Sequence, residues 1–147
     1  LPTRSSFECS QSLFADATKS PSALRAHDLK LCLWEYPYVS IHNPLFAQLE
    51  ANGWLLKNRE GKAYVFDWVK DPTDDPFGSV LTPLPPSGIL DFTHPEAAPF
   101  WADRHDTLFD GGVDVLKTAF GEPVDDDMIA ANGGSGRHWP HTDPLPI

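Results

Sequence analysis

Hydrophobic residues in this chain follow two spacings. A helical spacing occurs three times: Ala23, Leu24 and Ala26 within 21–27; Leu45, Phe46 and Leu49 after Pro44; and Phe100, Trp101, Leu108 and Phe109 within 95–110. Strand-like runs lie between them. Residues 29–34, Leu-Lys-Leu-Cys-Leu-Trp, read as a buried strand, and 88–92 and the stretch holding Val113, Val115 and Leu116 read as two more. Residues 54–57 and 62–68 flank Asn58-Arg59-Glu60-Gly61, a β-hairpin pattern.

Local chemistry marks where these elements begin and end. Ser20 before Pro21 and Asn43 before Pro44 each place an N-cap ahead of a proline at the first helical position, where the missing N–H is not needed. Asn52-Gly53 stops the second helix, and Gly111-Gly112 releases the third into the last strand. Thr93 and Glu96 have capping-box spacing ahead of that third helix. Pro99 lies within it, and an interior proline costs about 3 kcal/mol, so an irregular first turn is expected. The proline-rich residues 69–87 are too long for a plain connection and read as a site-edge loop or a locally disordered one. The order helix, strand, helix, hairpin, strand, helix, strand is α/β and fits a portion of a parallel barrel, with three barrel strands expected. A whole eight-stranded barrel needs at least about 200 residues; this chain has 147.

Composition narrows the function classes. A net charge of -10 argues against a nucleic-acid partner, because phosphate binding needs clustered Lys and Arg. No stretch approaches the roughly 20 apolar residues of a membrane span, and Leu1-Pro2-Thr3-Arg4-Ser5-Ser6 has no apolar core like that of a signal peptide. A start without Met hints at a fragment or a processed chain. Cys9 and Cys32 make no disulfide framework; Cys32 reads as a buried free thiol, which points to a reducing, cytoplasmic compartment. Asp125-Asp126-Asp127 lacks the spaced oxygen ligands of a calcium loop and reads as a solvated acidic turn. The six histidines show no zinc-binding spacing, so neither a metal nor another cofactor is expected.

The candidate chemistry gathers at the last strand. Lys117, Ala119, Phe120 and Glu122 follow its apolar residues, and the C-terminal ends of strands are where parallel barrels carry their sites. The run Lys117-Thr118-Ala119-Phe120-Gly121-Glu122 is similar to the Lys-Thr-Asp-Phe-Gly-Glu motif of family 31 glycoside hydrolases, the α-glucosidase and α-xylosidase family. Trp34-Glu35-Tyr36-Pro37-Tyr38 resembles that family's Trp-Ile-Asn-Pro-Tyr, and Phe7-Glu8-Cys9 with Phe14-Ala15-Asp16-Ala17 resembles its Phe-Glu-Trp-Asp and Phe-Pro-Asp-Pro loop, with substitutions. Asp28 stands where the family usually has Gly.

The resemblance implies a partial (β/α)8 TIM-barrel segment over 1–122, with parallel strands, crossover helices and an inserted β-hairpin, followed by a flexible acidic and Gly-rich tail over 123–147. It implies retaining hydrolysis of terminal α-linked xylose or glucose, which needs two carboxyl groups roughly 5–5.5 Å apart. Ala119 occupies the position of the family's nucleophile and cannot act as one, and the family's acid/base Asp belongs to a later strand. What the resemblance leaves is one wall of a sugar pocket. Trp34 would stack on the sugar, Lys117 would hydrogen-bond its hydroxyls, Phe120 would line the floor, and Phe66 or Trp68 on the hairpin would close it. Against these stand plainer readings: Trp34 as a core aromatic at a strand end, and Lys117 as a lysine paired with Glu122. Asp91 reads as a structural strand-to-helix corner, and Glu35 as a carboxylate able to reach the mouth. The implied partner is an α-linked oligosaccharide or glycoside, with self-association or pairing with the remaining barrel segment as a further expectation.

Overall fold

A computed structural model describes residues 19–67, 85–118 and 124–136. The chain enters through a short helix, α1 (Lys19–Arg25), which ends at Asp28 in a left-handed conformation, φ 57°. The strand β1 (Cys32–Glu35) follows and pairs in parallel with β5 (Val115–Thr118), in the register Cys32↔Val115, Leu33↔Leu116, Trp34↔Lys117 and Glu35↔Thr118. The N-terminal ends of this pair are tied by Asp114. Its Oδ2 accepts from the Leu31 N–H (2.9 Å), its own N–H donates to the Leu31 carbonyl (2.9 Å), and Arg25 lies 3.3 Å from its Oδ1. The turn into β5 needs Gly112, whose φ is 100° and where a Cβ would lie 2.7 Å from Pro21 Cβ.

Residues between β1 and β5 build a second layer. β2 (Tyr38–Ser40), β3 (Val65–Phe66) and β4 (Ser87–Ile89) form an antiparallel sheet in the order β2-β4-β3. The helix α2 (Pro44–Asn52) is bounded as its sequence predicts: Asn43 Oδ1 accepts from the Leu45 N–H (2.9 Å), Pro44 takes the first turn, and Gly53 closes the end at φ 72°. Two apolar clusters result. Val39, Leu45, Leu49, Leu55, Leu90, Ala97 and Trp101 form one; Tyr36, Tyr38, Leu56, Ile89, Met128 and Ala130 form the other. The hairpin is present as a bridge between Lys57 and Ala63, with the Asn58 N–H donating to the Lys62 carbonyl (2.8 Å).

The third helix, α3 (Ala97–Asp110), returns the chain to β5. Its buried stripe is Ala97, Trp101 and His105, four residues apart, whereas Phe109, expected in that stripe, is exposed. The capping box does not form. Glu96 occupies the cap without a side-chain hydrogen bond, and the Thr93 hydroxyl donates to Asp91 Oδ1 instead (2.6 Å). Because the helix starts at Ala97, Pro99 falls in its first turn, where a backbone N–H has no helical partner and its absence costs nothing.

Two expectations are corrected. The run 88–92 does not extend the parallel sheet: β4 pairs antiparallel with β2, a strand that the hydrophobic spacing does not announce. The parallel sheet therefore has two strands among the described residues, a segment of a barrel and not a closed one. The run 29–34 is not buried throughout: along β1 exposed and half-buried residues alternate, and Cys32 falls on the exposed face. Within 124–136, Met128 and Ala130 are buried, and Ile129 bridges Lys57 on the hairpin.

Candidate functional site

Strand alternation sorts the residues of β1 and β5 onto two faces. Cys32, Trp34, Val115 and Lys117 share the open face and are all exposed; Trp34 keeps 45% of its surface accessible. Trp34 and Lys117 are direct register partners near the C-terminal ends of two adjoining parallel strands. An aromatic ring and a lysine ammonium are thus brought side by side at one rim.

The other face carries Leu33, Glu35 and Leu116, all half-buried. Glu35 is engaged there. Trp101 Nε1–H donates to its Oε1 (2.6 Å), and His105 Nε2 lies 2.7 Å from the same oxygen. Both partners project from α3, so the carboxylate faces away from the open rim and does not serve as a group at the mouth.

From Trp34 a row of rings leads to the hairpin. Trp34 and Tyr36 have centroids 5.1 Å apart, Tyr36 and Tyr38 5.9 Å, and Tyr38 and Phe66 5.8 Å. Such separations suit tilted aromatic contacts. Phe66 therefore belongs to the same row as Trp34, with two tyrosines between them, and it packs against the cluster around Met128. Trp68, Ala119, Phe120 and Glu122 lie outside the described residues.

Asp91 is structural, as its sequence context suggests. It is buried, with Oδ1 accepting from the Thr93 N–H (3.0 Å) and hydroxyl, and Oδ2 accepting from the Ala131 N–H (2.6 Å). Two further contacts fasten the segment after β5 to the hairpin: the Tyr64 hydroxyl donates to Asp125, and Arg59 pairs with Asp127. Burial, and then the hydrogen bond to the Asp125 carboxylate, push the Tyr64 hydroxyl up to about 12. Asp126 and Asp127 are exposed, and the described residues hold no group of three or more His, Cys, Asp or Glu able to grip a metal ion. No described helix is long and apolar enough to cross a membrane.

Sequence reasoning missed the partners of Glu35. Trp101 was read only as apolar, and His105 was weighed only for metal binding. The signal was their spacing of four, which puts an indole N–H and an imidazole on one helix face where a strand carboxylate meets both.

Comparison with known proteins agrees with this layout. Residues 2–144 match the description "Glycosyl hydrolases family 31 TIM-barrel domain". The chain is 30% identical over 120 residues to "Alpha-xylosidase XylQ" of Lactiplantibacillus pentosus, covering 80% of this chain and 14% of that protein. It is 28% identical over 130 residues to an alpha-xylosidase of Emericella nidulans, covering 88% and 15%. Among solved structures, the Flavobacterium johnsoniae family 31 dextranase complexed with glucose superposes with a TM-score of 0.75 at 23% identity, over 90% of this chain and 16% of that one. A family 31 sulfoquinovosidase from E. rectale, in complex with an aza-sugar inhibitor, gives 0.70 at 22%, over 91% and 19%. The chain spans about one-seventh of the length of the two curated relatives. Matched almost end to end by one family description, and folded as two adjoining barrel strands with their helices and hairpin, this chain belongs to glycosyl hydrolase family 31, as a segment of its TIM-barrel domain.

Proposed function

We propose that this chain supplies one wall of the sugar site of a retaining α-glycosidase acting on terminal α-xylosyl or α-glucosyl residues. The observation that carries the reading is the Trp34–Lys117 pair, on the open face at the C-terminal ends of two parallel strands. An exposed indole offers a flat apolar surface to the C–H face of a pyranose, and the lysine ammonium offers three donors to its hydroxyls. Phe120 would line the floor, and Phe66 or Trp68 would close the pocket from the hairpin. The two α-xylosidase relatives favour xylosides over glucosides as the substrate class.

Chemistry is a separate matter from binding. Ala119, at the place of the family's nucleophile, has no group to attack an anomeric carbon, and losing an activated nucleophile removes most of a covalent mechanism's rate. The 147-residue chain is therefore expected to bind sugar without turning it over. Release of p-nitrophenol from aryl α-xyloside and aryl α-glucoside checks this; a turnover near one per second would overturn it. Calorimetric titration with xylose and isomaltose checks binding, with Trp34→Ala expected to abolish the heat. Heatless injections into the parent protein at tens of millimolar sugar would sink the reading.

A second reading follows from the open face itself. Cys32, Trp34 and Val115 are exposed there, and β1 and β5 each pair with one strand among the described residues. Unpaired parallel edges beside an apolar face favour association. The chain is expected to self-associate or to pair with the remaining barrel segment; sedimentation as a monomer at high concentration would count against this.

A further inference from the structure

The sugar site as proposed makes no use of Glu35, yet this carboxylate is largely buried and shared between two side chains of α3. Its side chain is 16% exposed, and that of His105 is 10% exposed. One oxygen, Oε1, faces both Trp101 Nε1 at 2.6 Å and His105 Nε2 at 2.7 Å. Those two nitrogens come from residues one helical turn apart on α3, so a rigid element presents them together.

The position of Glu35 in the chain gives that contact its consequence. Glu35 is the last residue of β1 and the immediate neighbour of Trp34, so the two side chains lie on opposite faces of one strand. The helix that holds Glu35 runs through Gly111 and Gly112 directly into β5, which carries Lys117. One carboxylate thus joins the strand of the indole to the helix that sets the strand of the ammonium. Asp114 and Arg25 tie the opposite, N-terminal ends of the same two strands. At the C-terminal end of β1, Glu35 is hydrogen-bonded to α3.

We propose that Glu35 is a positioning residue: held between Trp101 and His105, it fixes where β1 presents Trp34 beside Lys117. It touches no sugar and no reacting atom. Its role is that of an outer support that holds a binding group in one orientation, a role in which loss of the support costs affinity without removing a ligand contact. The influence on sugar affinity rests on the sugar-site reading above; the influence on Trp34 itself does not.

The test uses the full 147-residue chain labelled with 5-fluorotryptophan, with the Trp34 fluorine signal identified by Trp34→Phe. The parent is expected to give one narrow Trp34 signal. Glu35→Leu is expected to split that signal or broaden it at least twofold while far-UV circular dichroism stays that of the folded chain. Trp101→Phe, which removes one donor and keeps a ring in place, is expected to act in the same direction more weakly, and it carries the test should Glu35→Leu fail to fold. Glu35→Gln keeps a carbonyl oxygen at the same reach and is expected to match the parent. Isomaltose affinity is expected to fall fivefold or more in Glu35→Leu and less than twofold in Glu35→Gln. A Trp34 signal unchanged in folded Glu35→Leu and in Trp101→Phe would overturn the proposal, as would a Gln variant as disturbed as the Leu one. If Trp34→Ala abolishes sugar binding while Glu35→Leu retains it, the positioning role fails and the sugar site stands. If the parent binds no sugar, the site reading fails, and the fluorine signal alone decides the positioning role.

Discussion

Gly88 shows how little room single residues leave in this fold. A Cβ there would lie 2.8 Å from Phe46 Cε2 and 3.0 Å from Leu55 Cδ1. Gly88→Ala is therefore expected to destabilise by about 1–3 kcal/mol through overpacking, read as a lower urea midpoint with an unchanged slope. Tyr64 offers a titration signature. Its hydroxyl pKa is raised from 10 to about 12, so its contribution is complete below pH 10 and is lost as pH rises through about 12. Absorbance at the phenolate band should show one tyrosine ionising late, and Asp125→Asn should bring it down. At this scale the sequence was partly legible. Asp28 was identified as standing where the family has Gly, and it holds φ 57°, the conformation Gly adopts without strain. Cys32 was misread because apolar neighbours in sequence say nothing about whether a strand face is covered.

Among elements, legibility followed the strength of local stop signals. The second helix came out at its capped ends, since Asn43, Pro44 and Gly53 leave little freedom. The first strand shifted, from 29–34 to Cys32–Glu35, because the Leu29 N–H turns back to the Leu24 carbonyl (3.0 Å) and spends those residues on closing α1. The β2–β4 pairing was not legible, because three buried residues after a proline carry no period. The parallel pair itself yields a prediction. Asp114 is held below its ordinary value of 3.8, chiefly by the Leu31 N–H and then by Arg25. A depressed carboxylate contributes at neutral pH, and the contribution is lost as pH falls below that ordinary value. Asp114→Asn should lower the melting temperature at pH 7 and flatten its decline toward acid; a parallel decline in both proteins would refute the assignment.

At the scale of the whole molecule, the fold class came from motif resemblance more than from periodicity, and the candidate rim was legible to the same extent. Trp34 and Lys117 were named from sequence, and the register makes them neighbours. Their neighbourhood is long-range, and no spacing within either segment announces it. The contacts of 124–136 are likewise long-range, with Ala131 on Asp91, Tyr64 on Asp125, Arg59 on Asp127, and Met128 and Ala130 within the second apolar cluster. Gly136 completes the segment, since a Cβ there would overlap the Asp125 carbonyl.

The two-faced character of β1 has an evolutionary corollary. Its indole and its carboxylate are consecutive, so a pairing of β1 with β5 slipped by one residue would exchange their destinations. The ring would then be driven against α3, and an acid would project into the mouth instead. The turn after α1 can therefore change length freely while the Trp34–Lys117 register is kept, and indels in related segments are expected in that turn and not within Cys32–Glu35.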